Sequence, residues 1–111
     1  DYEKALEYYE RALKGNEKTL GKTHPETLTT VVNIATVYED GFKDLAKSEE
    51  YKRKALDGYE AQLGKEHERT KRCAKNLAIC FSKAGKKLKL RKIINEYPHI
   101  LIENPSFKYA L

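Results

Sequence analysis

Two histidines, His24 and His67, stand 43 residues apart in matching phrases, LGKTHPETL at 20–28 and LGKEHERTK at 63–71. An imidazole in each invites a reading as metal ligand or general base, and Cys73 invites one as thiolate nucleophile. Spacing argues against all three. Six residues of helix put His67 on nearly the opposite side from Cys73, and no carboxylate pattern surrounds either histidine. Cys73 and Cys80 are seven apart, about two turns or roughly 10.5 Å of helical rise. That exceeds the ~7 Å between Cα atoms that a disulfide tolerates, and the pair lacks the companions of a zinc site. Both thiols are expected to be free packing residues, which fits a reducing, cytoplasmic setting. Gly-Lys at 21–22 and 64–65 lacks the preceding glycine and following Ser/Thr of a phosphate-binding loop. No paired acid/base carboxylates and no nucleophile beside a base appear. The chain therefore reads as a non-enzyme without cofactor or metal, its histidines serving as punctuation between elements.

What they punctuate is a duplication. At offset 43, ALKGNEKTLGKTH (12–24) lies over ALDGYEAQLGKEH (55–67) with 8 of 13 positions identical. The match extends upstream, with Tyr2, Ala5 and Tyr8 over Leu45, Ser48 and Tyr51. It extends downstream through Thr27 over Thr70, Asn33 over Asn76, Ala35 over Ala78 and Tyr38 over Phe81. Tyr2, Ala5, Leu6, Tyr9, Ala12, Leu13 and Leu20 fall on one helical stripe, as do Leu45, Ala55, Leu56, Tyr59 and Leu63. Leu28, Val31, Ala35 and Tyr38 form another, echoed by Ala74, Ala78 and Phe81. The spacing predicts an all-α chain of antiparallel helix pairs, about five helices: 1–20, 24–40, 43–63, 67–84 and 86–96. Alternating small and large side chains let such helices approach closely.

The punctuation is specific. Gly21 and Gly64 are expected to end helices in the left-handed conformation, and Thr23 with Glu26 has capping-box spacing, Pro25 fitting the first turn. Gly15 and Gly58 fall inside helices, where glycine costs about 1 kcal/mol relative to alanine, so each is expected to receive a neighbouring helix. Tyr97-Pro98 ends the last helix, leaving 97–111 as a tail without helical period.

Composition narrows the class. The 111 residues are one domain or less, 35% of them charged, with no run of about 18 apolar residues for a membrane span. The absence of methionine and the opening at Asp1 inside a helical phrase are expected of a piece of a longer protein. Net charge is +5, but residues 1–64 carry −3 and residues 65–111 carry +8. A basic end favours acidic partners.

The phrases YYERAL (8–13), LGKTHPETL (20–28) and NIATVY (33–38), with NLAICF (76–81), resemble tetratricopeptide repeats of the long, kinesin-light-chain-like kind. The resemblance covers residues 1–96 and departs from the pattern at Glu68, which replaces proline, and at Lys71, which replaces an apolar residue. Residues 86–96 read as a degenerate, solvent-facing cap. What the resemblance implies is an α-solenoid whose concave groove binds peptide segments of partner proteins. By placement, Thr29, Val32, Asn33, Thr36 and Glu39 would face the groove from helix 24–40, and Arg72, Lys75, Asn76, Ile79 and Lys83 from helix 67–84. Asparagines bond a peptide backbone as donor and acceptor, although a repeated asparagine also bridges helices. The basic residues attract carboxylates, so the expected partner is an acidic peptide, bound modestly and in a salt-sensitive way.

Two other readings remain open. The segment 83–92, KAGKKLKLRK, offers Lys86, Lys87, Lys89, Arg91 and Lys92 to phosphates of a nucleic acid or an anionic membrane. It lacks the interleaved aromatics of single-strand platforms and the length of a surface helix, so binding there is not expected. Alternatively, two copies pair as a homo-oligomer through exposed repeat ends, using the face of residues 2–20, while Ile100-Leu101-Ile102 covers an open end or enters a neighbour's groove.

Overall fold

The computed structural model describes residues 1–111, the side chain of Ala110 excepted. It holds six α-helices and no strand among the described residues: α1 (Tyr2–Leu20), α2 (Pro25–Thr36), α3 (Leu45–Leu63), α4 (Glu68–Lys83), α5 (Lys87–Glu96) and α6 (His99–Glu103). The period-based map holds for the first five, with two local differences. α2 closes in one π-helical turn, Val37–Gly41, and the tail is not irregular: it forms α6 and a 3-10 turn, Pro105–Ala110. Five residues are too few to display a 3.6-residue period, which hides α6 from sequence reading.

Each helix packs on the next in chain order, α1 on α2, α2 on α3, α3 on α4 and α4 on α5, and α6 folds back on α4 and α5. The layer is thin, with extents of 41 × 30 × 18 Å. Its core runs continuously from Leu28, Val31 and Ile34 through Ala55 and Leu56 to Leu77, Ala78 and Phe81, then to Leu90, Ile93 and Ile100. The expectation of a solvent-facing last helix is corrected: α5 buries Leu90, Ile93 and Ile94, and Leu88 is exposed on its other side.

The histidines begin helices. The backbone N–H of Glu26 donates to His24 Nδ1, and that of Arg69 to His67 Nδ1, each at 3.1 Å, satisfying one of the orphan donors of a helix start. The capping box expected from Thr23 does not form. Thr23 Oγ1 instead accepts from Gln62 Nε2 at 2.9 Å, tying the loop to α3. Gly21 and Gly64 do have positive φ (95° and 85°), but their ψ of 161° and 164° is extended rather than left-handed helical, a region essentially reserved for glycine.

Gly58 and Gly15, equivalent by the repeat, differ. A Cβ at Gly58 would fall 2.5 Å from Leu28 Cδ2, so α2 and α3 approach through a glycine notch as expected. At Gly15, among the described residues, nothing lies within 4 Å of such a Cβ. The expectation of a close neighbour fails there because no helix covers that face of α1.

Candidate functional site

α2 and α4 flank a groove of about 520 Å³ floored by α3. Of the ten residues placed there by sequence, Thr29, Val32, Thr36 and Glu39 line it from α2 and its closing turn, and Arg72, Asn76 and Ile79 line it from α4. The periodic stripe positions them. Thr29 and Thr36 donate their hydroxyls to the carbonyls of Pro25 (2.9 Å) and Val32 (3.1 Å), one turn back, and so satisfy themselves while facing the groove. Back-bonding of this kind bends helices, and the second of these bonds immediately precedes the π turn.

Three expected residues are placed otherwise. Asn33 is half-buried and lies outside the groove lining. Lys75 turns toward the tail, its Nζ 3.3 Å from Glu103 Oε1. Lys83 stands at the rim, its Nζ 3.2 Å from Glu39 Oε2. The lining also includes Asp40, Lys52, Tyr59, Arg69 and Cys73, which sequence reading had not placed there. Arg69 was legible, since it precedes Arg72 by three residues and so shares its face. Lys52 and Tyr59 belong to α3 and, seven positions apart, share the face of that helix that forms the floor.

Charge inside the groove is partly paired. Glu39 accepts from Lys52 Nζ at 2.7 Å as well as from Lys83, joining α2's closing turn to α3 and α4. Burial works to raise the Glu39 carboxyl, but the two lysine hydrogen bonds and charges outweigh it and hold it below the ordinary glutamate value. Arg69 and Arg72 are exposed, and among the described residues neither has a carboxylate within 4.0 Å. Cys73 adds an apolar wall: burial pushes its thiol up to about 12, against the weaker pull of Lys52 and Arg53, so it stays protonated at neutral pH. Cys80 is buried and its thiol is likewise raised by burial.

The basic segment 83–92 is largely engaged within the chain. Lys86 and Lys89 both donate to Glu49, at 2.6 and 2.7 Å. Lys83 is held by Glu39, and Arg91 Nη2 donates to the Leu111 carbonyl at 3.1 Å. Burial tends to raise Glu49, yet the hydrogen bonds and charges of the two lysines lower it overall. Four of the basic side chains thus have partners in the fold, which removes much of the field a phosphate backbone would need.

The tail is fastened by polar contacts as well. Tyr97 donates its hydroxyl to Glu60 Oε2, and burial together with that bond raises the phenol above its ordinary value. His99 Nε2 lies 3.1 Å from the Lys71 carbonyl, and Ile100 is fully buried.

Comparison with known proteins places this geometry. The family model described as Tetratricopeptide repeat matches residues 1–61. No curated protein matches the chain. Among solved structures it is similar to BtubC (BKLC) from P. vanneervenii, with a TM-score of 0.77 and 20% identity. That alignment covers 89% of this chain and 39% of the other, so the chain spans well under half of its neighbour's length. At this identity the likeness concerns the fold.

Proposed function

The chain belongs to the tetratricopeptide repeat family, in which the repeats serve generally as protein-interaction scaffolds, and on that premise we propose that the groove between α2 and α4 takes an acidic segment of a partner protein. The observation that carries this reading is the pair Arg69 and Arg72, exposed in the groove and without an intramolecular carboxylate partner among the described residues. Val32, Tyr59, Ile79 and protonated Cys73 supply apolar surface beside them, so a segment with both acidic and apolar side chains finds complementary partners. Guanidinium forks bind carboxylates bidentately. The 43-residue period, against about 34 for the ordinary repeat, supports assignment to the long, kinesin-light-chain-like kind. Among the described residues no helix is long and apolar enough to cross a membrane, and the free cysteines Cys73 and Cys80 suit a reducing, cytoplasmic setting.

The test compares fluorescent acidic and neutral peptides of equal length, titrated with the chain at low and at physiological ionic strength. Acidic peptides are expected to bind more tightly, with the advantage shrinking as salt rises. The double variant Arg69→Glu/Arg72→Glu is expected to lose at least about tenfold in affinity, roughly 1.4 kcal/mol. Lys75→Glu is expected to change little, because Lys75 is turned toward Glu103. Equal binding of acidic and neutral peptides at low salt sinks the reading.

For self-association the chain offers exposed apolar side chains at both ends, Tyr2, Tyr8 and Leu20 on α1 and Leu88, Ile102 and Tyr109 beyond α4.

A further inference from the structure

Five charged side chains line the groove: Glu39, Asp40, Lys52, Arg69 and Arg72. Glu39 and Lys52 pair at 2.7 Å, and Lys83 at the rim brings a second ammonium to the same carboxylate. Three charges are left over. Asp40, Arg69 and Arg72 are exposed, and among the described residues none has an opposite charge within 4.0 Å.

The three stand at different levels of the groove, and α3 gives the scale. Thr70, between the two arginines in sequence, donates its hydroxyl to the Tyr59 carbonyl at 3.4 Å. Glu39, beside Asp40, accepts from Lys52 Nζ and, at 3.4 Å, from Ser48 Oγ. Tyr59 lies seven residues from Lys52 and eleven from Ser48, roughly 10–16 Å along the helix. An extended segment covers that distance in about three to five residues.

Helix direction sharpens the contrast. Leu28 meets α3 at Gly58 and Tyr38 meets it at Tyr51, while on the other side Thr70 meets Tyr59 and Cys80 meets Leu45. α3 therefore runs antiparallel to both walls, and α2 and α4 point the same way. Helix starts favour negative charge and helix ends positive charge. Arg69 in the first turn of α4, and Asp40 in the turn that closes α2, are placed the other way round. Charges set against local preference and left without partners mark positions where a ligand supplies the missing charge.

We propose, resting on the acidic-segment reading above, that the groove selects a partner-protein segment by the order of its charges. Acidic side chains lie against Arg69 and Arg72, and a lysine or arginine about four residues away lies against Asp40. Lys52 does not repel that incoming cation strongly, because Glu39 already holds it. Asp40 is then the specificity-determining residue of its end. Exposed pairs are individually weak, so Asp40 sorts among acidic segments and the arginines supply most of the attraction.

The test titrates four fluorescein-labelled peptides with the whole chain at low salt, followed by anisotropy. Two carry an aspartate pair and a lysine four residues away, one in each order along the peptide, and two replace that lysine with glutamine. In one of the orders lysine is expected to tighten binding about threefold over its glutamine counterpart. Asp40→Asn is expected to erase that difference and Asp40→Lys to invert it. Asp40 is exposed and free of ion pairs among the described residues, so both variants are expected to keep the parent's circular dichroism spectrum. Binding of the glutamine peptides with no gain from lysine in either order overturns the proposal and leaves the acidic-segment reading standing. A lysine gain that survives in Asp40→Asn overturns it as well. Failure of all four peptides to bind overturns both.

Discussion

Alanine in place of Gly15 adds a methyl group to open space on an exposed helix and is expected to stabilise the chain by about 0.5–1 kcal/mol. The same change at Gly58 drives the methyl into Leu28, which is buried and has little room to yield. Overpacking costs about 1–3 kcal/mol and the gain in helix propensity offsets about 1, so a net loss of about 1 kcal/mol is expected. Denaturant midpoints of the two variants therefore move in opposite directions from the parent; a shift of the same sign in both contradicts the notch. The histidines teach a related lesson at this scale. Sequence reading assigned them to helix boundaries but gave the capping bond to Thr23, because hydroxyls are the usual caps. In the fold each ring turns Nδ1 onto its own helix start, leaving the threonine hydroxyl for Gln62.

Neighbouring helices are joined by two shared carboxylates, Glu39 with Lys52 and Lys83, and Glu49 with Lys86 and Lys89. Both carboxyls are held below the ordinary value of 4.5 in the folded chain. A depressed folded value contributes stability that is present above the unfolded value and lost as pH falls through the folded one. The thermal midpoint is accordingly expected to be level above about pH 5 and to drop on acidification below 4.5. Glu39→Gln is expected to lower the midpoint at neutral pH and flatten part of the acid slope; an unchanged slope speaks against the clamp. The Lys52 arm contributes most, its side chain being 12% exposed against 54% for Lys83, where solvent screens the pair. Such links are poorly legible in a sequence, since Lys83 and Glu39 lie 44 positions apart and Lys75 and Glu103 lie 28 apart. Helix pairs are legible because their period is written in adjacent turns, and the groove faces of α2 and α4 follow from it. The floor contributed by Lys52 and Tyr59 depends on which face of α3 meets the gap between α2 and α4, which no local pattern encodes.

Over the whole molecule each helix rests mainly on its neighbours in a layer 18 Å thick, so stability is local rather than shared. α1 buries Leu13 alone, while α3 and α4 bury residues along most of their lengths. Amide hydrogen exchange is expected to be fastest in α1 and slowest in α3 and α4; uniform protection would mean that the layer opens as a single unit. Breathing of the trough is expected to be unequal for a related reason. At its Glu39 end one carboxylate holds ammonium groups from two different helices, Lys52 of α3 and Lys83 of α4. At the far end Arg69 and Arg72 have no such brace among the described residues, so a trough that takes a segment as proposed is expected to widen there, as a jaw hinged at the Glu39 corner.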